Sequence, residues 1–260
     1  MSIQSSSVLR AQWRPLQPVP KVVPTKPRLI VAGATGVLGA EVLRRLAGSN
    51  GFAHTLVLAR EPMATSVAQV SMLNMTGDFA AWHAVAAQVA VVMFEPPRLY
   101  YQRERALFTP EPGQLLSLAR WLRRCGVHTL AVVVPHAQGR LPDAVKRGLA
   151  DLDEQALSAL GFERLLLVRA AQKTVGTPAP GFLNKVAAWM LSTLSYMIPA
   201  TEQPVRPTKL AEFIDVALHQ LPVGTHVASP ELLWRSAEGV DMQRVVKAWL
   251  NSSTVHHPHG

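Results

Sequence analysis

From residue 28 onward, short apolar runs alternate with stretches that carry apolar residues on one face only. The runs are 28–32 (RLIVA), 55–59 (TLVLA), 89–94 (VAVVMF), 129–134 (TLAVVV) and 165–168 (LLLV). Each is too short for an ordinary helix and has no polar alternation, so each reads as a strand buried on both faces. The stretches between them repeat at helical spacing. Val42, Leu43 and Leu46 share a face in 41–46, and Leu115, Leu118, Ala119 and Leu122 share one in 114–124. Val145, Leu149, Leu152, Ala156 and Leu160 do the same in 143–160, and Gly126 and Gly161 supply the stops. Apolar strands separated by amphipathic helices predict βαβ units. With right-handed crossovers, the expected fold is α/β, a doubly wound parallel sheet.

After residue 170 the rhythm changes. A loop is expected at 176–181 (GTPAPG) and an apolar helix with Trp189 and Met190 at 182–198. An amphipathic helix follows at 208–221, carrying Leu210, Phe213, Ile214, Ala217 and Leu218. A short strand at 225–228 and a last helix at 240–250 complete a small C-terminal cap on the sheet edge. The Trp and Met stripe of 182–198 reads as a pocket wall, because its polar face is weak and has only Lys185 at one end. The expected organisation is therefore an arm at 1–27, a nucleotide-binding domain at 28–175, a cap at 176–250 that completes it, and a tail at 251–260. The arm has five prolines, from Pro15 to Pro27, and no acidic residue. It reads as disordered rather than as an organelle transit peptide, because proline spoils an amphipathic helix. His256, His257 and His259 lie in the polar tail and read as exposed residues, so no metal site is expected.

Composition narrows the class. The chain has 260 residues, 48% of them hydrophobic and 17% charged, enough for a sizeable core. Its one cysteine, Cys125, excludes an internal disulfide framework and any multi-cysteine metal site. A reducing compartment is thereby permitted, and the expected location is cytoplasmic. No apolar run reaches the ~18 residues that a membrane span needs. The net charge of +9 points to an anionic partner. Arg10, Arg14, Lys21 and Lys26 lie in the arm, and the other cations are scattered through helices, so no nucleic acid is expected.

The anion has an obvious place to bind. Gly33, Ala34, Thr35, Gly36, Val37, Leu38 and Gly39 follow a strand and open a helix. Gly33 allows the tight turn, Gly36 lets a pyrophosphate reach the backbone, and Gly39 lets helix and strand pack closely. The helix start then offers free N–H groups and a positive dipole. At the end of the second strand, where an acid would read an adenosine ribose, the chain has Arg60. Arginine there suits a 2′-phosphate, so NADP(H) is preferred over NAD(H), although Glu61 weakens the local field.

The segment from Leu29 to Gly39, with its G-x-x-G-x-x-G spacing, resembles the opening of the atypical short-chain dehydrogenase/reductase superfamily. It is similar to the HIV Tat-interacting-protein oxidoreductase group and to NmrA-like proteins. The likeness extends in element order over residues 28–240 and implies a Rossmann domain with a small cap. It also implies a catalytic Ser or Thr after the strand ending at Val134, then a Tyr four residues before a Lys. Lys146 matches that Lys by position, but Pro142 stands where the Tyr belongs, and Pro135 and His136 follow the strand. Proline has no proton to give, so that mechanism cannot pass through position 142. Tyr100, Tyr101 and His136 are the displaced donor candidates, with a pocket wall or a structural histidine as their plain alternatives.

Three functions stay open on these residues. One is an NADP(H)-binding protein without the standard tetrad, working as a nucleotide-dependent binding or regulatory module. Another is a reductase with a displaced donor. The third is an interaction protein that binds no nucleotide. A small molecule or a protein is left open as a further partner.

Overall fold

The protein is described by a computed structural model that places residues 26–134, 154–169, 205–238 and 241–254. The arm to residue 25, the helix expected at 182–198 and the histidine tail lie outside the described residues, as do His136, Pro142 and Lys146.

Among the described residues seven strands form one sheet: β1 (Arg28–Ala32), β2 (His54–Ala59), β3 (Val70–Asn74), β4 (Val89–Met93), β5 (Thr129–Val133), β6 (Arg164–Val168) and β7 (Gly224–Ala228). The helices are α1 (Gly36–Gly48), α2 (Gln102–Arg105), α3 (Leu115–Arg124), α4 (Glu154–Ser158), α5 (Pro207–Gln220), α6 (Pro230–Glu238) and α7 (Met242–Thr254). The strand order is β3-β2-β1-β4-β5-β6-β7 and every pairing is parallel. This is the doubly wound α/β order, and its direction reverses between β1 and β4.

Both faces of the sheet are covered, which is why its inner strands read as unbroken apolar runs. Leu29 and Val31 of β1, Val91 and Met93 of β4, and Val133 of β5 point into one core layer with α1 and α5. Ile30, Ala32, Val92 and Val132 point into the other, with α3. The second layer is built around aromatics. Trp82 meets Trp121 edge-on with ring centroids 5.2 Å apart, and it meets Phe108 the same way at 5.3 Å. Arg45 and the buried Asp215 add an ion pair of 2.8 Å that fastens α1 to α5.

Three features differ from the sequence reading: the start of α1, the strand β3 and the helix α6. α1 starts at Gly36, inside the glycine motif, five positions before its apolar period becomes visible at residue 41. β3 has no counterpart in the reading, because it is an edge strand with polar Ser71 and Asn74, and its interior is only partly buried. Residues 60–69 connect β2 to β3 without a helix. The C-terminal segment, expected to complete the domain at the sheet edge, supplies β7, which pairs with β6, and α5, which packs along α1. Its described residues are thus integral to the sheet and to one helical layer. α6, which the reading also lacked, follows directly from β7.

Trp121 is 1% exposed and its indole N–H donates to the His83 carbonyl at 3.2 Å. Trp121→Ala should therefore lower the unfolding free energy by about 3–5 kcal/mol in urea titration. A loss below about 1 kcal/mol would mean that the aromatic layer is not a cohesive core.

Candidate functional site

The site grows out of the turn between β1 and α1. Gly33 and Gly36 both have left-handed backbone, with φ of +77° and +71°. A side chain at Gly33 would overlap the Met93 carbonyl of β4, and one at Gly39 would come within 2.5 Å of the Gly33 carbonyl. Position 33 is thus restricted to glycine by both φ and contact. The turn ends at the reversal point between β1 and β4, where open α/β sheets bind ligands.

Helix starts leave N–H groups without intrahelical partners. Thr35 stands at the N-cap position but makes no side-chain bond to its own helix. Its buried hydroxyl donates to the Glu95 carbonyl and shares a 2.8 Å hydrogen bond with the Thr109 hydroxyl. The helix donors go elsewhere. The Leu38 N–H donates to the Glu95 carboxylate at 2.7 Å, and the Gly36 N–H donates to Glu104 Oε2 at 3.1 Å. Two carboxylates therefore cap α1, where partial positive charge favours anions.

Glu104, at 7% exposure, is fully engaged. Its Oε1 takes the Arg98 guanidinium at 2.7 Å from Nε and also from Nη2. Its Oε2 takes the Arg98 N–H at 2.9 Å in addition to that of Gly36. Burial pushes the Glu104 carboxyl toward its neutral form, but the Arg98 fork and the two backbone donors outweigh this and hold it below the ordinary glutamate value. The Arg98 guanidinium in turn lies 3.7 Å from the centroid of the Tyr101 ring.

The segment that carries these groups is tied across the carboxyl ends of β1 and β2. The Phe108 carbonyl accepts from the Gly33 N–H at 2.9 Å, and the Phe108 N–H donates to the Leu58 carbonyl at 2.9 Å. The Arg60 N–H donates to the Ala106 carbonyl at 2.7 Å, and Ala59 bridges to Leu107. Beside the turn lies a groove of about 550 Å³, lined by Ala34, Leu43, Met63, Val70, Met72 and Leu107 among others. It occupies the side of the sheet where the β2–β3 connection has no helix.

The residues expected for a dinucleotide are brought together. Gly33, Ala34, Thr35, Gly36, Val37, Leu38 and Gly39 form the turn and the first turn of α1, and Val37 is exposed. Arg60 stands at the carboxyl end of β2, as expected, but its guanidinium faces the Phe108 ring at 5.6 Å and donates to the Thr109 carbonyl at 3.2 Å. Of the donor candidates, Tyr100 is 93% exposed and Tyr101 packs under Arg98. His136 and Lys146 lie outside the described residues. Cys125 is buried, and burial pushes its thiol up, away from the reactive thiolate. Among the described residues no group of three metal-ligating side chains exists, and no helix is long and apolar enough to cross a membrane.

Sequence reasoning missed Glu95, Arg98 and Glu104. The available signal was Glu95 itself, an acid two residues after β4, beside the glycine turn.

No family model and no curated protein matches the chain. Solved structures similar to it include the enzyme WbmG of Bordetella bronchiseptica in complex with NAD, at 14% identity and a TM-score of 0.41. That match covers 90% of this chain and 80% of WbmG. The triphenylmethane reductase of Citrobacter sp. complexed with NADP(H) is 17% identical, with a TM-score of 0.42. The match covers 74% of this chain and 65% of the reductase. A Rossmann-fold NAD(P)-binding family protein from Shigella flexneri is 15% identical over 76% of this chain and 92% of its own, with a TM-score of 0.42. The fold assignment rests on the strand order and parallel pairing described above.

Because the folded Glu104 value is depressed, its stabilising effect is complete above the ordinary glutamate value and is lost as pH falls through the folded one. Urea unfolding should show wild type losing stability on acidification below about pH 4.5, with Glu104→Gln reducing that dependence. At neutral pH the same variant should cost about 1–2 kcal/mol, since Arg98 keeps partial solvent contact. An unchanged acid slope would mean that the Arg98–Glu104 pair does not form.

Proposed function

We propose that the chain is an NADP(H)-binding Rossmann module of the atypical short-chain dehydrogenase type without the standard catalytic tetrad. It works as a nucleotide-dependent binding or regulatory protein. The observation that carries this reading is the anion-holding start of α1. Gly33 and Gly36 adopt left-handed backbone at the reversal point of the sheet, and the Gly36 and Leu38 N–H groups each hold a carboxylate oxygen. A carboxylate and a phosphate make the same demand on such donors, so the turn fits a pyrophosphate once those two N–H groups are released.

The N–H groups of Gly36 and Leu38 would hold the pyrophosphate once the Glu95 side chain vacates the space above the Gly36 α-carbon. Arg60 would meet a 2′-phosphate after giving up the Thr109 carbonyl. The reduced nicotinamide ring of a bound NADPH would supply a hydride for carbonyl reduction, becoming NADP+. The proton for such a reduction is what the chain has no standard source for, because Pro142 occupies the tyrosine position. The reductase alternative gains nothing from the described residues, since the Tyr100 side chain points to solvent and Tyr101 packs under Arg98.

NADPH and NADH titration by calorimetry tests the reading. NADPH should bind more tightly than NADH, and Arg60→Ala should remove most of that difference, about tenfold. Gly36→Asp should abolish binding of both while the chain stays folded. Steady NADPH oxidation with carbonyl substrates, lost in Tyr100→Phe, Tyr101→Phe or His136→Ala, would replace this reading with the reductase. No binding by folded wild type or by any variant that frees the α1 N–H groups would leave only an interaction protein.

A further inference from the structure

We infer that residues 95–105 are a built-in competitor of the dinucleotide: Glu95 and Glu104 occupy the phosphate seat of α1, and a nucleotide enters only by displacing them. This inference rests on the NADP(H) reading above.

Two observations and one electrostatic argument support it. The first is identity of donors. The backbone groups a pyrophosphate would use are those of Gly36 and Leu38, and both are bonded to carboxylates of this one segment. The second is space. The gap above the bare α-carbon of Gly36, which in a phosphate-binding turn admits the ligand, is filled by the Glu95 side chain. The third is charge. A pyrophosphate drawn into this seat would meet two carboxylates at hydrogen-bonding range of the same donors, and like charges there oppose binding. Carboxylate and pyrophosphate therefore exclude each other.

The way the segment is fastened makes exchange feasible. One end continues from β4, and the other is anchored by Phe108, which is buried against Trp82 and bonded to both Gly33 and Leu58. The part between them presents Leu99 and Tyr100 to solvent, at 75% and 93% exposure. Within 95–105, the ties to the turn are the two carboxylates and the Glu95 carbonyl that takes the Thr35 hydroxyl. Glu95 is half-buried and can leave by rotating its side chain. Glu104 leaves with α2 and gives up the Arg98 backbone N–H as it goes, while the Arg98 guanidinium stays with it as its counter-ion. The Phe108 anchor stays in the core throughout.

The test is NADPH affinity, by calorimetry, of full-length wild type, Glu95→Ala, Glu95→Gln and Glu104→Gln, each checked by its melting curve. Glu163→Gln, at the amino-terminal end of the strands, controls for a change of net charge. Glu95→Ala and Glu95→Gln should bind at least about tenfold more tightly than wild type, and Glu163→Gln should match wild type. Binding by Glu95→Ala with none by wild type is the same result in stronger form. Equal affinity in wild type and both Glu95 variants would overturn the competitor while leaving the nucleotide site standing. No binding by any folded form would overturn the nucleotide reading and this inference together. Should Glu104→Gln melt before it can be titrated, the two Glu95 variants still decide.

Discussion

The start of α1 is a cluster of backbone N–H groups that must be satisfied, and the site is arranged around that requirement. Thr35, placed to cap the helix, is turned away toward Glu95 and Thr109. The donors are left for an anion from outside the helix. Here the anions come from the chain, as Glu95 on Leu38 and Glu104 on Gly36. A buried carboxylate is costly unless it is paired and hydrogen-bonded. Glu104 meets that condition through Arg98, whose guanidinium and N–H fill the lone pairs that Gly36 leaves.

The sheet supplies the rigidity that lets such a seat exist. β1 and β4 are neighbours, so the turn after one stands beside the residues that follow the other. That adjacency places Glu95 over Gly36, although 59 positions of sequence separate them. α1 is held on its far side by α5 and by the Arg45–Asp215 pair, so its amino end keeps its aim. The aromatic layer of Trp82, Phe108 and Trp121 fixes the far end of the segment that closes the seat.

Much of the fold was legible because the inner strands are apolar on both sides. RLIVA, VAVVM and TLAVV have no other plausible state between amphipathic stretches. β3 escaped because an edge strand with Ser71 and Asn74 lacks that signal, and no helix precedes it to mark a βαβ unit. The glycine turn was legible because its spacing carries steric meaning, and Gly33 and Gly36 have the positive φ that such a turn requires. Glu95 and Glu104 were not, because Glu95 is placed by the β1–β4 adjacency and Glu104 by the pairing of residues 106–108 across the ends of β1 and β2. No local period encodes such a crossing. A charged residue in a proline-containing loop reads as solvated until the crossing is known.

Hydrogen exchange of single backbone amides, with and without saturating NADPH, addresses the exchange of anions most directly. The Leu38 amide should stay protected in both states, passing from the Glu95 carboxylate to phosphate. The Arg98 amide, bonded to Glu104, should lose protection when NADPH binds, while the Phe108 amide, bonded to the Leu58 carbonyl, should keep it. NADPH binding with the Arg98 amide as protected as before would contradict displacement of the carboxylates from α1.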